Sequence, residues 1–308
     1  MSEPAWRVSV DQNRWRWTRL LLLTWMVAIA LAPALAHAAT PPADRSKVGP
    51  EVVGGDPVPD GTYPFMAALL DLRRGNNAYD QQFCGGSLID TTHVLTAAHY
   101  VNDVGSPNGT PLVSLHVIVG RTVLTNNAQG QESVVTEVQV DPQYNPHRND
   151  TFDAAVLTLD PPITGIDPPQ PSDGSAALEH PGRRAIAAGW GSVRRQRGGT
   201  GDKPPQYPDR MEAGSPPIVS DKNCAEAYNQ GPGANAIVRP VMICAGRVGL
   251  DSCQGDSGGP LFVASPDGYR QIGIVSFGLG CGRRGFAGVY TQVSAPPIRD
   301  FIDSASTP

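Results

Sequence analysis

Several features are missing from this sequence, and each absence excludes a class of protein or site. There is no Cys-x-x-Cys pair and no pair of histidines at helical spacing, so a structural zinc site is not expected. Basic residues are outnumbered, with 24 Lys and Arg against 29 Asp and Glu. Because nucleic-acid binding depends on clustered basic side chains facing phosphate, this balance argues against a nucleic-acid partner.

Long hydrophobic runs are also missing, apart from one near the N-terminus. Four arginines precede an apolar run from Leu20 to Ala32, and Ala36-His37-Ala38 then offers small residues for cleavage, which is typical of a secretory signal. A bilayer takes roughly 20 apolar residues to cross, and Pro33 breaks the run early. We therefore expect a secreted protein with a cleaved signal at 1–38, a polar pro-segment at 39–51 and no membrane anchor.

Glycine and proline are abundant, at 34 and 30 of 308 residues, which favours strands joined by turns over long helices. Short β-branched runs extend from about Phe65 to Leu159 and resume at Arg184. The Pro-rich stretch 160–171 between them is interpreted as a connector, because proline cannot donate ladder hydrogen bonds. Residues 297–303 predict a short closing helix behind a proline.

The stretch Asp251–Pro260 carries the strongest indication of chemistry. A hydroxyl such as that of Ser257 is a poor nucleophile at neutral pH, so it needs a general base and a group that orients the base. The run Gly255–Gly259 also fits the nucleophile elbow of α/β-hydrolases, whose histidine follows the serine. All six histidines here precede Ser257, so that interpretation fails.

His99 is the best candidate for the base, because it ends an apolar strand in small residues that leave room for an imidazole. Asp153 directly precedes an apolar strand, where a lone carboxylate would be costly to bury without partners. That position suits the acid that orients a catalytic histidine. Asp150 and Asp141 are interpreted instead as turn residues.

Seven motifs, in this order, resemble those of the trypsin/chymotrypsin family of serine endopeptidases. They are Val52-Val-Gly-Gly55, Cys84-Gly-Gly-Ser-Leu88, Thr96-Ala-Ala-His99, Asp153-Ala-Ala-Val-Leu157, Gly189-Trp-Gly191, Gly255-Asp-Ser-Gly-Gly-Pro260 and Ile274-Val-Ser-Phe-Gly278. The match covers about residues 52–304. The resemblance implies an all-β fold of two six-stranded antiparallel barrels, at about 65–160 and 182–295, with a short C-terminal helix and the active site between the barrels.

The resemblance also implies roles for individual residues. Ser257 would be the nucleophile, His99 the general acid/base and Asp153 the acid that fixes the imidazole tautomer. The backbone amides of Gly255 and Ser257 would form the oxyanion hole. The edge segment Ser276-Phe277-Gly278 would pair with an extended substrate as an added strand.

A specificity pocket for Arg or Lys follows from the same resemblance. Asp251, six residues before Ser257, would lie at the bottom of the primary pocket, with small residues at Gly278 and Gly288. Ser252 resembles the trypsin residue that helps the pocket accept Lys as well as Arg. The expected partners are protein or peptide substrates, an activating protease and protein inhibitors, and no cofactor or metal is implied.

Two other functions stay open on the sequence. One is the same enzyme with shifted specificity, because Ala287 stands where many relatives have Pro or Tyr and Arg283-Arg284 adds positive charge near the pocket rim. The other is a catalytically inactive relative that acts as a binding module. Such relatives lose a catalytic residue or the glycines around the nucleophile, and this sequence retains all of them.

Activation in the family frees an ammonium that pairs with the aspartate before the nucleophile, here Val52 with Asp256. The preceding residue is Glu51 rather than a basic one. An enzyme that cuts after basic residues cannot readily cleave there, so we expect another protease to activate the chain.

The five cysteines are an odd number, so at least one thiol lacks an intrachain partner. The resemblance implies the bridges Cys224–Cys244 and Cys253–Cys281. In the family, a cysteine directly after the catalytic histidine usually pairs with the counterpart of Cys84. That position is Tyr100 here, so Cys84 is expected to be a free, buried thiol.

Overall fold

A computed structural model describes six stretches of the chain, residues 52–107, 109–148, 150–198, 202–229, 236–237 and 239–307. The expected signal at 1–38 and pro-segment at 39–51 lie outside these stretches. Within them the chain forms fifteen β-strands and four α-helices.

The elements are numbered in chain order. The strands are β1 (Asp56–Pro57), β2 (Met66–Asp71), β3 (Gln82–Leu88), β4 (His93–Thr96), β5 (Leu115–Val119), β6 (Gln131–Val140), β7 (Ala155–Asp160), β8 (Gln170–Pro171), β9 (Ile186–Gly189), β10 (Glu212–Gly214), β11 (Ile218–Val219), β12 (Met242–Ala245), β13 (Pro260–Ser265), β14 (Gly268–Phe277) and β15 (Gly288–Gln292). The helices are α1 (Ala78–Gln81), α2 (Ala176–Glu179), α3 (Asp221–Asn229) and α4 (Pro296–Ala305).

Strands β2 to β7 close into an antiparallel barrel in the order β2-β3-β4-β7-β6-β5. The ladder between β2 and β5, with Ala67 opposite Val119, completes the circle. Strand β2 is buried along its whole length, which explains its nearly continuous apolar sequence. Closure leaves this barrel without an exposed sheet edge.

The other strands form a nine-stranded sheet in the order β1-β10-β9-β13-β14-β15-β12-β11, with β8 pairing in parallel to β14. Among the described residues this hydrogen-bonded path ends at β1 and β11, so the sheet is a half-barrel. Short two-residue strands add to its margins, which is why it differs in detail from the six-stranded barrel that we expected. The all-β class with a short C-terminal helix is confirmed.

The two sheets pack against each other through interlocked cores. Trp190 follows β9, yet its fully buried indole belongs to the barrel core and donates to the carbonyl oxygen of Thr122 at 3.2 Å. From the other side, Leu95 and Val156 of the barrel share a core with Ile274 of β14. The ends of β4 and β7 are thereby held against β14.

Helix α3 was not predicted by the sequence pattern. Only two of its residues are buried, Cys224 and Tyr228, so its apolar pattern is too sparse to indicate a helix. Among the described residues, none of the helices combines the length and apolar character needed to cross a bilayer.

Candidate active site

A cavity of about 280 Å³ opens where the barrel meets the nine-stranded sheet. Among the residues that line it are several proposed from the sequence for catalysis or for the specificity pocket: His99, Asp251, Ser252, Ser257, Ser276, Gly278 and Gly288. Asp153, Gly255, Val52 and Asp256 are not among its lining residues. Within the described part of the chain, no three His, Cys, Asp or Glu side chains are grouped so that they could hold a metal ion.

The imidazole of His99 is fixed by the carboxylate of Asp153, which is fully buried. Oδ2 of Asp153 lies 2.7 Å from Nδ1 of His99, and Oδ1 accepts the backbone N–H of His99 at 2.9 Å. Because the carboxylate is an acceptor, Nδ1 carries the hydrogen and the neutral ring keeps its lone pair on Nε2. The ring is therefore set to accept a proton at Nε2.

Two further hydroxyls hold Asp153 in place. Ser276 Oγ donates to its Oδ2 at 2.5 Å, and Thr291 Oγ1 donates to its backbone carbonyl at 2.9 Å. The bond from Ser276 adds to those from His99 in satisfying a carboxylate that would be costly to bury alone, and the bond from Thr291 fixes the backbone of Asp153. Sequence reasoning selected Ser276 for its backbone and missed this contact of its side chain.

The pKa of His99 reflects opposing effects. Burial lowers it, but the hydrogen bond from His99 to Asp153 and the negative charge of that carboxylate raise it by more, and Asp150 adds a smaller increase. The net pKa is above the ordinary histidine value. Such a shift strengthens the ring as a proton acceptor and leaves it protonated, and unable to accept, at acidic pH.

The backbone amides of Gly255 and Ser257 belong to peptide groups whose carbonyl oxygens are held by hydrogen bonds, and this fixes the direction of each N–H. The carbonyl of Gln254 accepts from the amide of Ser192 at 2.8 Å, and that of Asp256 accepts from Gly259 at 2.9 Å. In a planar trans peptide the N–H points opposite to the C=O. The amides of Gly255 and Ser257 are thereby directed away from these acceptors, and no described residue accepts a hydrogen bond from either.

The loop that carries Ser257 is anchored to the barrel at the backbone carbonyl of this residue. This oxygen accepts from the amide of Gly85 at 2.8 Å and from the thiol of Cys84 at 2.7 Å. Gly258 has a φ of 81°, and a Cβ there would lie 2.2 Å from Oγ1 of Thr96. Only glycine fits this close approach between loop and barrel.

Asp251 is buried in the cavity with one oxygen left unpaired. Its Oδ2 accepts from the amide of Gly282 at 3.0 Å, whereas no described residue donates to Oδ1. Burial raises the pKa of Asp251 to about 8. A Cβ on Gly288 would lie 2.6 Å from Oδ1, so the glycine keeps that oxygen accessible.

Asp256, directly before Ser257, is buried and does not line the cavity. Its carboxylate accepts from the amides of Gly191 and Cys253 at 2.8 and 2.9 Å, while burial raises its pKa to about 6. A Cβ on Gly189 or Gly191 would lie 2.3 Å from this carboxylate, which explains the glycines on both sides of the intervening tryptophan. Val52 is buried as well.

Four cysteines form the bridges Cys224–Cys244 and Cys253–Cys281, and Cys84 is free and buried. The Cys253–Cys281 bridge joins two residues of the cavity wall. Tyr100 lies beside His99 with ring centroids 4.4 Å apart and also packs against Phe83. An aromatic side chain thus lines the cavity next to a reduced thiol.

Tyr100 and Asp150 are among the cavity-lining residues that sequence reasoning missed. Tyr100 was considered only as the replacement for a cysteine. Asp150 lies in a turn, as the sequence predicts, and that turn lines the cavity, so its side chain is half-buried rather than fully exposed. Its position depends on a backbone conformation that the local sequence does not reveal.

Comparison with known proteins agrees with this geometry. A family model described as Trypsin matches residues 52–302. The chain is 36% identical to a trypsin of Saccharopolyspora erythraea over 246 residues, which covers 79% of this chain and 94% of that protein. It is 35% identical to a tryptase of Mus musculus over 282 residues, covering 90% and 94%. It is 36% identical to a trypsin-like protease of Streptomyces glaucescens over 279 residues, covering 89% and 90%.

The chain belongs to the trypsin family of serine proteases. It is therefore a serine endopeptidase, a hydrolase of peptide bonds. The counterpart of Cys84 in the family usually forms a disulfide. The reduced state of Cys84, beside the loop that carries Ser257, is therefore a departure from the family pattern.

We expect denatured, unreduced protein to react with one equivalent of a thiol reagent, corresponding to the single free cysteine of the described residues. Native protein should react far more slowly, because Cys84 is buried and burial raises its pKa to about 12, which leaves little thiolate. Absorbance of the released chromophore measures both.

Two variants provide controls for this thiol count. Cys84→Ser should give no reaction in either state. Tyr100→Cys should also give none, because the new thiol can pair with Cys84. Finding no thiol in the denatured wild type would contradict the assignment.

Proposed function

We propose that this protein is a secreted endopeptidase that cleaves peptide bonds after Arg or Lys by an acyl-enzyme mechanism. The observation that carries the proposal is the unpaired Oδ1 of Asp251, at the wall of the same cavity as His99 and Ser257. A ligand that brings a cation stabilises the ionised form of a buried carboxylate that has no cationic partner. The guanidinium or ammonium of a substrate meets that requirement.

The proposed reaction begins with proton transfer from Ser257 to Nε2 of His99 as the serine oxygen attacks the scissile carbonyl carbon. Asp153 stabilises the imidazolium that forms. The negative charge on the former carbonyl oxygen is stabilised by the amides of Gly255 and Ser257, whose hydrogens have no other described acceptor.

Collapse of this intermediate breaks the peptide bond. His99 returns the proton to the leaving amine, which departs as the new N-terminus, and the acyl group stays on Ser257 as an ester. Water then attacks the ester and gives its proton to His99. His99 then returns that proton to the Ser257 oxygen as the ester bond breaks, so the carboxylic acid leaves and the serine hydroxyl is restored.

We further propose that residues 1–38 direct export and that 39–51 form a pro-segment. The two disulfides support an oxidising compartment. Cleavage after Glu51 would free the ammonium of Val52, which would pair with Asp256. Protein inhibitors that present a basic side chain are expected to bind the same cavity.

The function is tested on protein that begins at Val52. Ser257 should be labelled by a fluorophosphonate, and peptide amides ending in Arg should be cleaved far faster than matched amides ending in Phe. Asp251→Asn should lower kcat/KM for the Arg substrate on the order of 10²–10³-fold, because the substrate cation loses its buried partner. Chromogenic assays report the rates.

The control for this experiment is Ser257→Ala, which should neither be labelled nor cleave any substrate above about 10⁻⁴ of the wild-type rate. Faster cleavage after Phe in the wild type would indicate shifted specificity. An unlabelled serine in correctly processed protein would indicate an inactive relative and would overturn the proposal.

Binding of benzamidine, a small amidinium cation, should depend on pH through Asp251. Below its pKa of about 8 the carboxyl is protonated, and the cation must displace that proton. The affinity should therefore rise with pH, by up to about tenfold per unit, and level off above pH 8. Calorimetry in buffers of different ionisation enthalpy measures the proton release.

Asp251→Asn should bind the amidinium weakly and release no proton from this position. If wild-type affinity stayed constant between pH 6 and 8 without proton release, the carboxyl would already be ionised in the empty pocket, contrary to this prediction.

Activation should require a protease of different specificity. The Ser257→Ala precursor, mixed with active enzyme, should stay intact at Glu51–Val52, because glutamate does not suit a pocket that carries a carboxylate. A glutamate-specific protease should release the Val52 terminus. N-terminal sequencing identifies each product.

The matched control adds Glu51→Arg to the Ser257→Ala precursor, which the active enzyme should then cleave at position 51. Cleavage of the unmodified precursor at Glu51 by active enzyme alone would refute the requirement.

A further inference from the structure

Asp150 is a second carboxylate on the wall of the active-site cavity. Oδ1 accepts from the hydroxyl of Tyr144 at 2.8 Å, and no described residue donates to Oδ2. No described Lys, Arg or His forms an ion pair with it. The negative charge is close enough to His99 to contribute to the raised pKa of that imidazole. The side chain is thus fixed, half-buried and without a cation.

The backbone that positions the Asp150 side chain adopts conformations that are energetically unfavourable for non-glycine residues. Asp150 and Phe152 have φ values of 48° and 58°, in the left-handed region that non-glycine residues seldom occupy. Between them, Thr151 is buried, and its carbonyl accepts from the amide of Asn145 at 3.0 Å. Such local strain concentrates at functional sites and persists where surrounding contacts enforce it.

The direction of a bound substrate connects the two carboxylates. A substrate that pairs with Ser276-Phe277-Gly278 runs as an extended strand, and successive side chains of a strand point to opposite faces. When one side chain enters the pocket of Asp251, the preceding side chain points away from that pocket. His99 and Asp150 line the same cavity as Asp251, and Asp150 lies close enough to His99 to affect the pKa of its imidazole.

We propose that Asp150 selects a basic residue immediately before the Arg or Lys that enters the Asp251 pocket, so that the enzyme prefers paired basic residues. This inference rests on the proposed function and deepens it. A cation at that position is attracted to the free carboxylate oxygen, and an acidic side chain is repelled. Because the site is half-exposed, the expected preference is modest and decreases with salt.

The test uses peptide amides of the form Gly-X-Arg with a fluorogenic leaving group, and enzyme that begins at Val52. At low ionic strength kcat/KM should be about fivefold higher for X = Arg than for X = Gln, and about 25-fold higher for Arg than for Glu. Raising the salt concentration should reduce both ratios.

The decisive variant is Asp150→Asn, which keeps an acceptor for Tyr144 and a residue that tolerates the left-handed backbone. It should bring the Arg/Gln ratio close to one. Asp300→Asn removes the same charge from the exposed surface of α4 and should leave the ratio unchanged. Asp150→Asn should also shift the acid limb of kcat/KM to lower pH, because the pKa of His99 loses a contribution that raises it.

The outcomes separate this inference from the proposed function. If Gly-Gln-Arg amides are not cleaved, the proposed function fails. If they are cleaved but the wild type does not prefer X = Arg, only the selection by Asp150 fails. An equal loss of rate on all three substrates in Asp150→Asn, with the ratio preserved, would mean that the residue only shapes the loop, and would also overturn the inference.

Discussion

The buried carboxylate of Asp256 accepts amide hydrogens from Gly191 and Cys253, and the geometry of the loop that carries Ser257 depends on these two bonds. They tie the segment that follows β9 to the loop that carries Ser257. The peptide groups around Gly255 are consequently constrained from both ends. A carboxylate enclosed this closely leaves no space for a side chain on the neighbouring backbone, so glycine is required at position 191.

Three aspartates that the sequence selected are buried, and they differ in how many donors they have. Asp153 accepts from an imidazole, an amide and a hydroxyl, and Asp256 accepts from two amides. Asp251 accepts one direct hydrogen bond, from Gly282, and its pKa is the higher of the two that are raised, although the nearby amides of Gly288 and Ser252 oppose the effect of burial. Because unsatisfied charge is expensive to bury, the least satisfied of the three is the one that gains most from a cationic ligand.

The sequence was sufficient to predict the strands of the barrel and the residues around Ser257, because burial patterns and glycine requirements can be recognised from residues that are neighbours along the chain. It was insufficient for contacts that depend on distant segments. Ser276 and Asp153 are 123 positions apart, and their hydrogen bond exists only after β14 packs against the barrel. The orientation of Asp150 depends on left-handed backbone at two positions, which no local pattern specifies.

Tyr100 stands where a cysteine would pair with Cys84, so the barrel lacks a disulfide between positions 84 and 100. A disulfide across a loop of this length contributes about 3 kcal/mol in the chain-entropy model, whereas aromatic pairs such as those of Tyr100 with Phe83 and His99 contribute about 0.5–1.5 kcal/mol each beyond their burial. The aromatic contacts therefore offset much of the lost constraint. They also leave the thiol of Cys84 free to donate to the backbone carbonyl of Ser257, so a hydrogen bond to the loop that carries Ser257 takes the place of a covalent bridge.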